Sequence, residues 1–243
     1  MLGRRFIVIV AAGTGSRFGS SEIEPKAFHK INGASLLAHS AKTINHVLGL
    51  SACVCVVPQG FQAHAEKEIA AQVIFAQLIN EKSIFRFTYG GAQRNDSVRC
   101  GITRLNAEFS LTSSDTIAIH DAARCLVTTS VFEKCFAQAE LSGAATAAAP
   151  VRDTIKRVKD TGVAAAETIS RQGLYGMQTP QVFRYDLLQK ALSLKDAALS
   201  TDEVSLVAQI APVTIVETSH SNFKITYAED IELAQAVLAA RRY

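Results

Sequence analysis

Residues 6–19 read FIVIVAAGTGSRFG, an apolar, β-branched run followed at once by a glycine-rich segment. Such a run bounded by glycine is typical of a strand that is buried on both faces of a parallel sheet. Similar runs occur at residues 52–57 and 116–120, and helical stretches lie between them. Alternating strands and helices predict an α/β fold, namely a Rossmann-like, mostly parallel twisted sheet with helices on both faces.

The pattern changes between residues 152 and 183. Two short β-type runs, at 154–158 and 163–169, flank the sequence KDTG at 159–162, where glycine permits the positive φ of a tight turn. We therefore expect a β-hairpin arm that protrudes from the sheet at about residues 152–180. The simplest organisation is a single domain over residues 1–243 that carries this arm.

Composition excludes several classes of protein. The chain has 243 residues, and its 25 Lys and Arg against 22 Asp and Glu give a net charge of +3, too small for bulk attraction to nucleic acid. No stretch approaches the roughly 18 apolar residues of a membrane span. Five scattered cysteines predict free thiols in a reducing compartment. We expect a soluble, cytoplasmic protein with neither nucleic acid nor membrane as a partner.

The glycine-rich segment after the first strand predicts a phosphate site. Its spacing from Gly13 to Gly19 is GxGxxxG, which differs from the GxGxxG of dinucleotide-binding proteins, and no P-loop Lys-Ser/Thr pair follows Gly19. Backbone N–H groups directly after a strand can approach a phosphate closely, and Arg17 and Lys26 add positive charge. This combination predicts that the loop binds a triphosphate.

Ligands of such sheets bind at the carboxyl ends of the strands, so the segments that directly follow strands should meet there. These segments are residues 13–19, 90–97 and 121–124. Asp121, at the end of a buried strand, has the carboxylate that a phosphate-bridging Mg²⁺ prefers.

Seven ordered motifs carry a resemblance to a known family. The pattern AAGxGxRxG at 11–19, with Pro25-Lys26 downstream, resembles the nucleotidyltransferase superfamily. The further motifs are GGAQRNDSV at 90–98, HDAAR at 120–124, PVRDTIK at 150–156, QTPQVF at 178–183, TDE at 201–203 and NFKIT at 222–226. Together they closely resemble the 2-C-methyl-D-erythritol 4-phosphate cytidylyltransferase family of the non-mevalonate isoprenoid pathway.

The resemblance implies that a phosphate oxygen of 2-C-methyl-D-erythritol 4-phosphate attacks the α-phosphorus of CTP and releases pyrophosphate, with Mg²⁺ as cofactor. Such transfer depends on positioning and charge neutralisation. The family's catalytic cations match Arg17, Lys26, Arg171 and Lys224. Its nucleotide-binding positions match Ala11, Ala12, Gly13, Gly15, Gly91, Ser97 and Asp121. Its acceptor-binding positions match Asp121, Arg124, Thr154, Arg171, Thr179, Thr201 and Lys224, and Asp121 also matches the metal ligand.

The resemblance also implies a homodimer, in which Thr154 and Arg171 on the arm reach into the neighbouring subunit's acceptor site. His120 is expected to be packed or hydrogen-bonded locally, because this chemistry needs no histidine base. Ser200, with Glu203 three residues later, predicts the N-terminal capping box of a helix over residues 202–210.

The sequence departs from the family pattern in places. The loop before Lys26 is longer than in many members. Ala27, Ala92, Cys125 and Tyr175 stand where Gln, Asp, Pro and Trp are usual. Two alternatives remain: a ribitol- or other polyol-phosphate cytidylyltransferase, which shares almost every motif, and a CTP-binding regulatory module that no longer turns over. The glycine spacing disfavours a nicotinamide-dependent oxidoreductase.

Overall fold

The computed structural model describes residues 3–13, 15, 18, 25–77, 83–158, 167–194, 200 and 202–241. The strands are β1 (Arg5–Val10), β2 (Lys30–Ile31), β3 (Ala34–Ser35), β4 (Leu50–Val57), β5 (Phe85–Tyr89), β6 (Thr116–Asp121), β7 (Ala144–Pro150), β8 (Ile155–Arg157), β9 (Glu167–Ile169), β10 (Tyr175–Arg184) and β11 (Thr214–Glu217). The helices are α1 (Leu36–Ile44), α2 (Gln62–Gln77), α3 (Arg94–Phe109), α4 (Thr129–Ser142), α5 (Tyr185–Leu192), α6 (Glu203–Val207) and α7 (Asp230–Ala240).

One large sheet organises the described part of the chain, with strand order β11-β7-β10-β6-β1-β4-β5. Neighbouring strands are parallel except at β10, which runs antiparallel to both β6 and β7. The predicted mostly parallel sheet is confirmed. The position of β10 inside it is new, because the sequence patterning assigned residues up to about 180, the first part of this strand, to the arm.

Helices cover both faces of the sheet, as the alternating pattern predicted. Successive side chains of a strand point to opposite faces, so β1 contributes to two cores. Ile7 and Ile9 pack on the side covered by α1, α2 and α4, whereas Phe6 and Val8 pack on the side covered by α3, α5 and α6. Cys53 and Cys55 of β4 are both buried in the first of these cores, and their thiols are free.

The hairpin arm is confirmed in its two strands. β8 and β9 pair antiparallel to each other, with Ile155 opposite Ile169 and Arg157 opposite Glu167. The predicted turn at residues 159–162, and the first part of the predicted second strand, lie outside the described residues. No helix among the residues that the structure describes is long and apolar enough to cross a membrane.

Candidate active site

A cavity of about 490 Å³ opens at the carboxyl ends of β1 and β6, beside the N-terminus of α3. Its lining, within the described residues, is Val10, Ala11, Ala12, Gly13, Gly15, Phe18, Lys26, Ala27, Gly91, Ala92, Gln93, Arg94, Ser97, Asp121, Ala122, Ala123, Lys224 and Thr226. The three segments that follow the strands therefore meet where the sequence predicted. Nine of the residues assigned by resemblance line this one cavity: Ala11, Ala12, Gly13, Gly15, Lys26, Gly91, Ser97, Asp121 and Lys224.

The glycine-rich loop and Lys26 form one side of the cavity. Ala11 still belongs to the sheet, because its N–H donates to the carbonyl of Val56 at 2.8 Å. Gly15 has a φ of +66°, a conformation that favours glycine. Lys26 Nζ donates to the carbonyl of Ile225 at 2.8 Å, which places its ammonium group next to the segment that carries Lys224. Arg17 lies outside the described residues.

The start of α3 forms the opposite side. Gln93 and Asp96 cap this helix reciprocally: the Gln93 N–H donates to Asp96 Oδ2 at 3.0 Å, and the Gln93 side chain accepts from the Asp96 N–H. Ser97 Oγ donates to the carbonyl of Gln93 at 3.2 Å. The helix N-terminus, with its positive dipole end, therefore borders the cavity, an arrangement that suits anions.

Gly90 lies so close to Ala12 and to Ser97 of α3 that a side chain at this position has no room. A Cβ on Gly90 would lie 2.3 Å from Ala12 Cβ and 2.7 Å from Ser97 Oγ. We expect Gly90→Ala to lower the free energy of unfolding by about 1–3 kcal/mol and to weaken CTP binding, because the two loops must separate. Thermal melts and calorimetric titration with CTP measure both effects. The control is Gly176→Ala, where an added Cβ meets nothing closer than 3.8 Å; equal losses in the two variants would contradict the steric argument.

Asp121 lies at the centre of the charged groups. Its Oδ2 is 2.7 Å from Lys224 Nζ, and its Oδ1 is 3.2 Å from Arg94 Nε. Burial alone would raise the pKa of Asp121, but the positive charges of Arg94, Lys224 and Arg124 outweigh burial and hold it well below its usual range. Asp121 is therefore an anion at any working pH, and it is the one carboxylate among the described residues that line the cavity.

Arg94 and Glu203 are functional candidates that the sequence reasoning missed. Arg94 Nη1 donates to both carboxylate oxygens of Glu203, at 2.9 and 2.8 Å, while its Nε faces Asp121. The predicted Ser200–Glu203 capping box is wrong: Asp202 caps α6 through Oδ1, which accepts from the Ser205 N–H at 3.0 Å. Glu203 turns inward instead, because the half-buried Arg94 guanidinium attracts it more strongly than a backbone N–H does. α6 is also shorter than the predicted 202–210.

Arg124 and Thr179, which the resemblance assigns to the acceptor site, make hydrogen bonds that stabilise the segments next to the cavity. Arg124 donates from Nη1 to the carbonyl of Asn222 at 3.0 Å and from Nη2 to that of Met177 at 3.1 Å. Thr179 Oγ1 accepts from the N–H of Asp121 at 3.1 Å. Neither side chain belongs to the cavity's lining as the described residues define it. They tie β10 and the 222–224 segment to the end of β6.

The arm residues stand apart from the cavity. Thr154 and Arg171 are both exposed, and Arg171 donates to the carbonyl of Arg152 at the base of the arm. Neither belongs to the described lining of the cavity in this chain. Thr201 lies outside the described residues.

A family model decides what this site belongs to. The model for 2-C-methyl-D-erythritol 4-phosphate cytidylyltransferase matches residues 6–240, which includes every segment of the cavity. The chain belongs to this family. It is a cytidylyltransferase, a nucleotidyltransferase of the non-mevalonate isoprenoid pathway, as the resemblance implied.

Individual relatives agree with the family model over their full length. The cytidylyltransferase of Chromobacterium violaceum is 37% identical over 238 residues, which cover 96% of this chain and 97% of that protein. That of Desulforamulus reducens is 35% identical over 243 residues, 99% of this chain and 98% of that protein. The crystal structure of the Francisella tularensis cytidylyltransferase superposes with a TM-score of 0.75 at 26% identity, covering 97% of this chain and all of that one.

The departures of this cytidylyltransferase from the family pattern fall in different surroundings. Ala27 and Ala92 both line the cavity, and Ala92 is exposed in the loop that precedes α3. Cys125 is buried, and burial raises the pKa of its thiol to about 12, so the thiol stays protonated. Tyr175 lies at the start of β10, with its hydroxyl 3.5 Å from Glu217 Oε2. Ala27 and Ala92 are therefore the two of these four departures that can alter the described lining of the cavity directly.

His120 of the cytidylyltransferase is fully buried behind the site, which confirms the prediction of local packing. Its Nδ1 is 3.0 Å from Thr179 Oγ1, and its ring packs against Phe132 with the ring centroids 5.2 Å apart. Burial lowers the pKa of His120 to about 3, from an ordinary 6.5. The neutral ring cannot serve as a general base that titrates near pH 7.

This buried histidine should make folding stability depend on pH. Below pH 6.5 the unfolded chain protonates His120, whereas the folded chain does not until about pH 3. The unfolded state then binds more protons, so stability falls as pH is lowered. We expect the free energy of unfolding to drop by about 2–3 kcal/mol more in the wild type than in His120→Asn between about pH 6.5 and 4.5. Urea melts at stepped pH measure this, and the exposed-site control His46→Asn should keep the wild-type slope.

Proposed function

We propose that the cavity holds the triphosphate of CTP between the glycine-rich loop and the cations Arg17, Lys26 and Lys224. The observation that carries this proposal is the position of Lys224, 2.7 Å from the Asp121 carboxylate, with Lys26 bonded to the next residue's carbonyl. Two ammonium groups and a helix N-terminus thus face one cavity whose single described carboxylate is already neutralised. A pocket with this balance of charges attracts a polyanion.

In this arrangement a phosphate oxygen of 2-C-methyl-D-erythritol 4-phosphate attacks the α-phosphorus of CTP. The new phosphorus–oxygen bond forms as the bond from the α-phosphorus to the bridging oxygen of the β-phosphate breaks, and pyrophosphate leaves with that electron pair. A phosphate monoester is largely a dianion at neutral pH, so the nucleophile needs no general base. Lys26, Lys224 and Arg17 lower the barrier by stabilising the charge that develops on the phosphate oxygens.

The Asp121 carboxylate can bind a Mg²⁺ ion in addition to Arg94 and Lys224. A carboxylate has about four lone-pair sites, and Arg94 and Lys224 occupy two of them. Mg²⁺ is commonly held by one or two carboxylates together with substrate phosphates and water. We propose Asp121 as its protein ligand. When bound, the ion would neutralise phosphate charge and favour pyrophosphate as a leaving group.

The loop of residues 90–93 and the start of α3, which we call the base-side loop, suit the cytosine ring. Gly91 and Ser97 line the cavity, and a Cβ on Gly91 would lie 2.3 Å from Asp96 Cβ. Glycine at this position therefore lets the loop pack directly on Asp96 at the start of α3. We propose that Gly91, Ser97 and neighbouring backbone groups read the cytosine edge. Ala92 removes a side chain but leaves those backbone contacts in place.

The acceptor site and the arm complete the proposal. We propose that Arg124, Thr179 and Thr201 contribute to the acceptor side, and that Thr154 and Arg171 do so across a homodimer formed through the arm. Light scattering coupled to size exclusion tests the dimer, and mixing Arg171→Ala with Lys224→Ala subunits tests whether one active site is restored between two defective chains. We further propose that residues 1–243 form a single domain that carries the arm, and that the enzyme is cytoplasmic.

The function is tested by Mg²⁺-dependent pyrophosphate release from CTP. We expect release with 2-C-methyl-D-erythritol 4-phosphate and much slower release with ribitol 5-phosphate. A preference for ribitol 5-phosphate would leave the mechanism intact and replace the acceptor. CTP binding without release from either acceptor would overturn the catalytic proposal and favour a regulatory module.

A further inference from the structure

Glu203 is a buried charge that the proposed reaction leaves without a task. Its side chain is fully buried at the start of α6, and it does not line the cavity described above. Both of its oxygens accept from Arg94 Nη1, at 2.9 and 2.8 Å. A carboxylate taken out of water in this way is costly unless it is paired, so Arg94 and Glu203 depend on each other.

Arg94 connects this pair to the site. The same guanidinium that Glu203 holds through Nη1 presents Nε to Asp121 Oδ1 at 3.2 Å. The guanidinium group is planar, so fixing one edge sets the direction of the other nitrogens. Lys224 holds the other oxygen of Asp121 at 2.7 Å. The orientation of the Asp121 carboxylate therefore depends on where Glu203 holds Arg94.

A second contact joins the same two segments. Asn95 Nδ2, next to Arg94 on α3, donates to the carbonyl of Ser200 at 2.8 Å. On the other side, Gln181 Nε2 of β10 donates to Asp202 Oδ2 at 3.1 Å. The segment that begins α6 is thus fastened between the start of α3, on the nucleotide side, and β10.

We propose that Glu203 is a positioning residue, which holds Arg94 so that its Nε orients the Asp121 carboxylate towards the reacting phosphates. The inference rests on the proposed function of the cavity. Without the Glu203 charge, the one remaining carboxylate partner of Arg94 among the described residues is Asp121. Arg94 then competes with Lys224 for Asp121, and both the cation and the carboxylate leave their working positions.

Glu203→Gln tests this with almost no change in volume. A glutamine amide offers Arg94 one acceptor oxygen in place of two. Its NH₂ group is a donor and cannot bond to the guanidinium, which has only donors. We expect kcat to fall about 10–100-fold, because a displacement of about 1 Å at a reacting group can cost that much. KM for CTP should stay near the wild-type value, because Glu203 is not among the described residues that line the cavity.

Glu140→Gln is the matched control. Glu140 forms an equivalent two-oxygen pair with an arginine, Arg5 Nε at 2.6 Å and Nη2 at 3.0 Å, at the opposite end of β1. The same chemical change there should lower the melting temperature and leave kcat at the wild-type value. A parallel loss of kcat in both variants would mean that Glu203 acts only through stability.

A double-mutant cycle separates positioning from a general defect. If Glu203 acts through Arg94, adding Glu203→Gln to Arg94→Gln should cost no further kcat, whereas independent roles would give multiplied losses. Multiplied losses, or a wild-type kcat in Glu203→Gln, overturn the proposal. Glu203→Asp, which keeps the charge on a shorter stem, replaces Glu203→Gln in both experiments should the glutamine variant fail to fold.

An activity-free measurement keeps this test separate from the proposed function. In the wild type, the Arg94 Nε–H should exchange slowly with water in ¹⁵N NMR spectra, with its signal assigned by its loss in Arg94→Gln. We expect faster exchange in Glu203→Gln. Slow exchange in the variant overturns the proposal whichever acceptor the enzyme uses, whereas a wild-type enzyme that releases no pyrophosphate contradicts only the proposed function.

Discussion

Replacing Lys224 with methionine is expected to lower kcat by about 10²–10³-fold, the range measured when one preorganised donor to a transition-state charge is removed. Methionine keeps most of the unbranched stem and deletes the ammonium group. Lys224 Nζ is held 2.7 Å from Asp121, and its side chain is 36% exposed and lines the cavity, so it can reach a phosphate without rearrangement of the backbone. The loss should fall mainly on kcat, because the charge is needed most when the α-phosphorus changes partners.

The comparison variant for Lys224 is Lys30→Met. Lys30 also pairs with a carboxylate, Glu68, at 3.2 Å, but it lies on β2 and does not line the cavity. Steady-state kinetics on both variants, with melting temperatures, separate charge at the site from charge in general. A Lys224→Met enzyme with wild-type kcat and a raised KM for CTP would show that Lys224 binds the ground state and transition state equally.

The strand ends were the part of the site that could be predicted from sequence. β-Branched runs followed by glycine or by Asp121 mark buried parallel strands, and the rule that ligands bind at their carboxyl ends brought residues 13, 91 and 121 to one place. Lys26 and Lys224 are 198 positions apart, and no local pattern connects them. The family resemblance placed them together, and the bond from Lys26 to Ile225 shows the physical contact.

The Arg94–Glu203 pair could not be predicted in the same way. Glu203 follows Asp202 at the start of a short helix, where an acidic residue is common for reasons of local capping and helix dipole. Its actual partner is 109 positions away on α3. Sequence patterning identifies local contacts, and the choice between a cap and a buried ion pair depends on how closely α3 and α6 approach. The one signal was Arg94 itself, a long cation directly after a strand-end loop.

The position of β10 was also missed for a local reason. Residues 175–184 contain Pro180 and two glutamines, a composition that argues against a central strand. The structure accommodates the proline at an irregularity in the β10–β7 pairing between Met177 and Gln181. The Thr179 hydroxyl at that irregularity accepts from the N–H of Asp121, which is how an unfavourable strand sequence comes to support the site.

Asp121→Asn is expected to have the largest effect, a loss in kcat of about 10³-fold together with lower stability. Asp121 is the anion that Arg94, Lys224 and Arg124 share, and removing one partner of a buried ion pair typically costs about 3–5 kcal/mol. Lys224 is partly exposed and can turn towards water, so the stability loss should lie near the lower limit. The loss in kcat follows from losing the proposed Mg²⁺ ligand, whose ion is worth several kcal/mol to the transition state.

The control for Asp121 lies next to the other end of β6. Asp115, directly before β6, is buried and paired with Arg4 Nη2 at 2.7 Å, so Asp115→Asn removes an equal charge from an equivalent pair at the opposite end of the sheet. Both variants should melt at lower temperature, and only Asp121→Asn should lose kcat measured per folded molecule. Raising Mg²⁺ should recover part of the activity of Asp121→Asn, because an amide oxygen still ligates the ion weakly. If kcat of Asp121→Asn falls without any shift in its Mg²⁺ dependence, the role of Asp121 as a metal ligand is contradicted. Asp121 would then act only by positioning Arg94, Lys224 and Arg124.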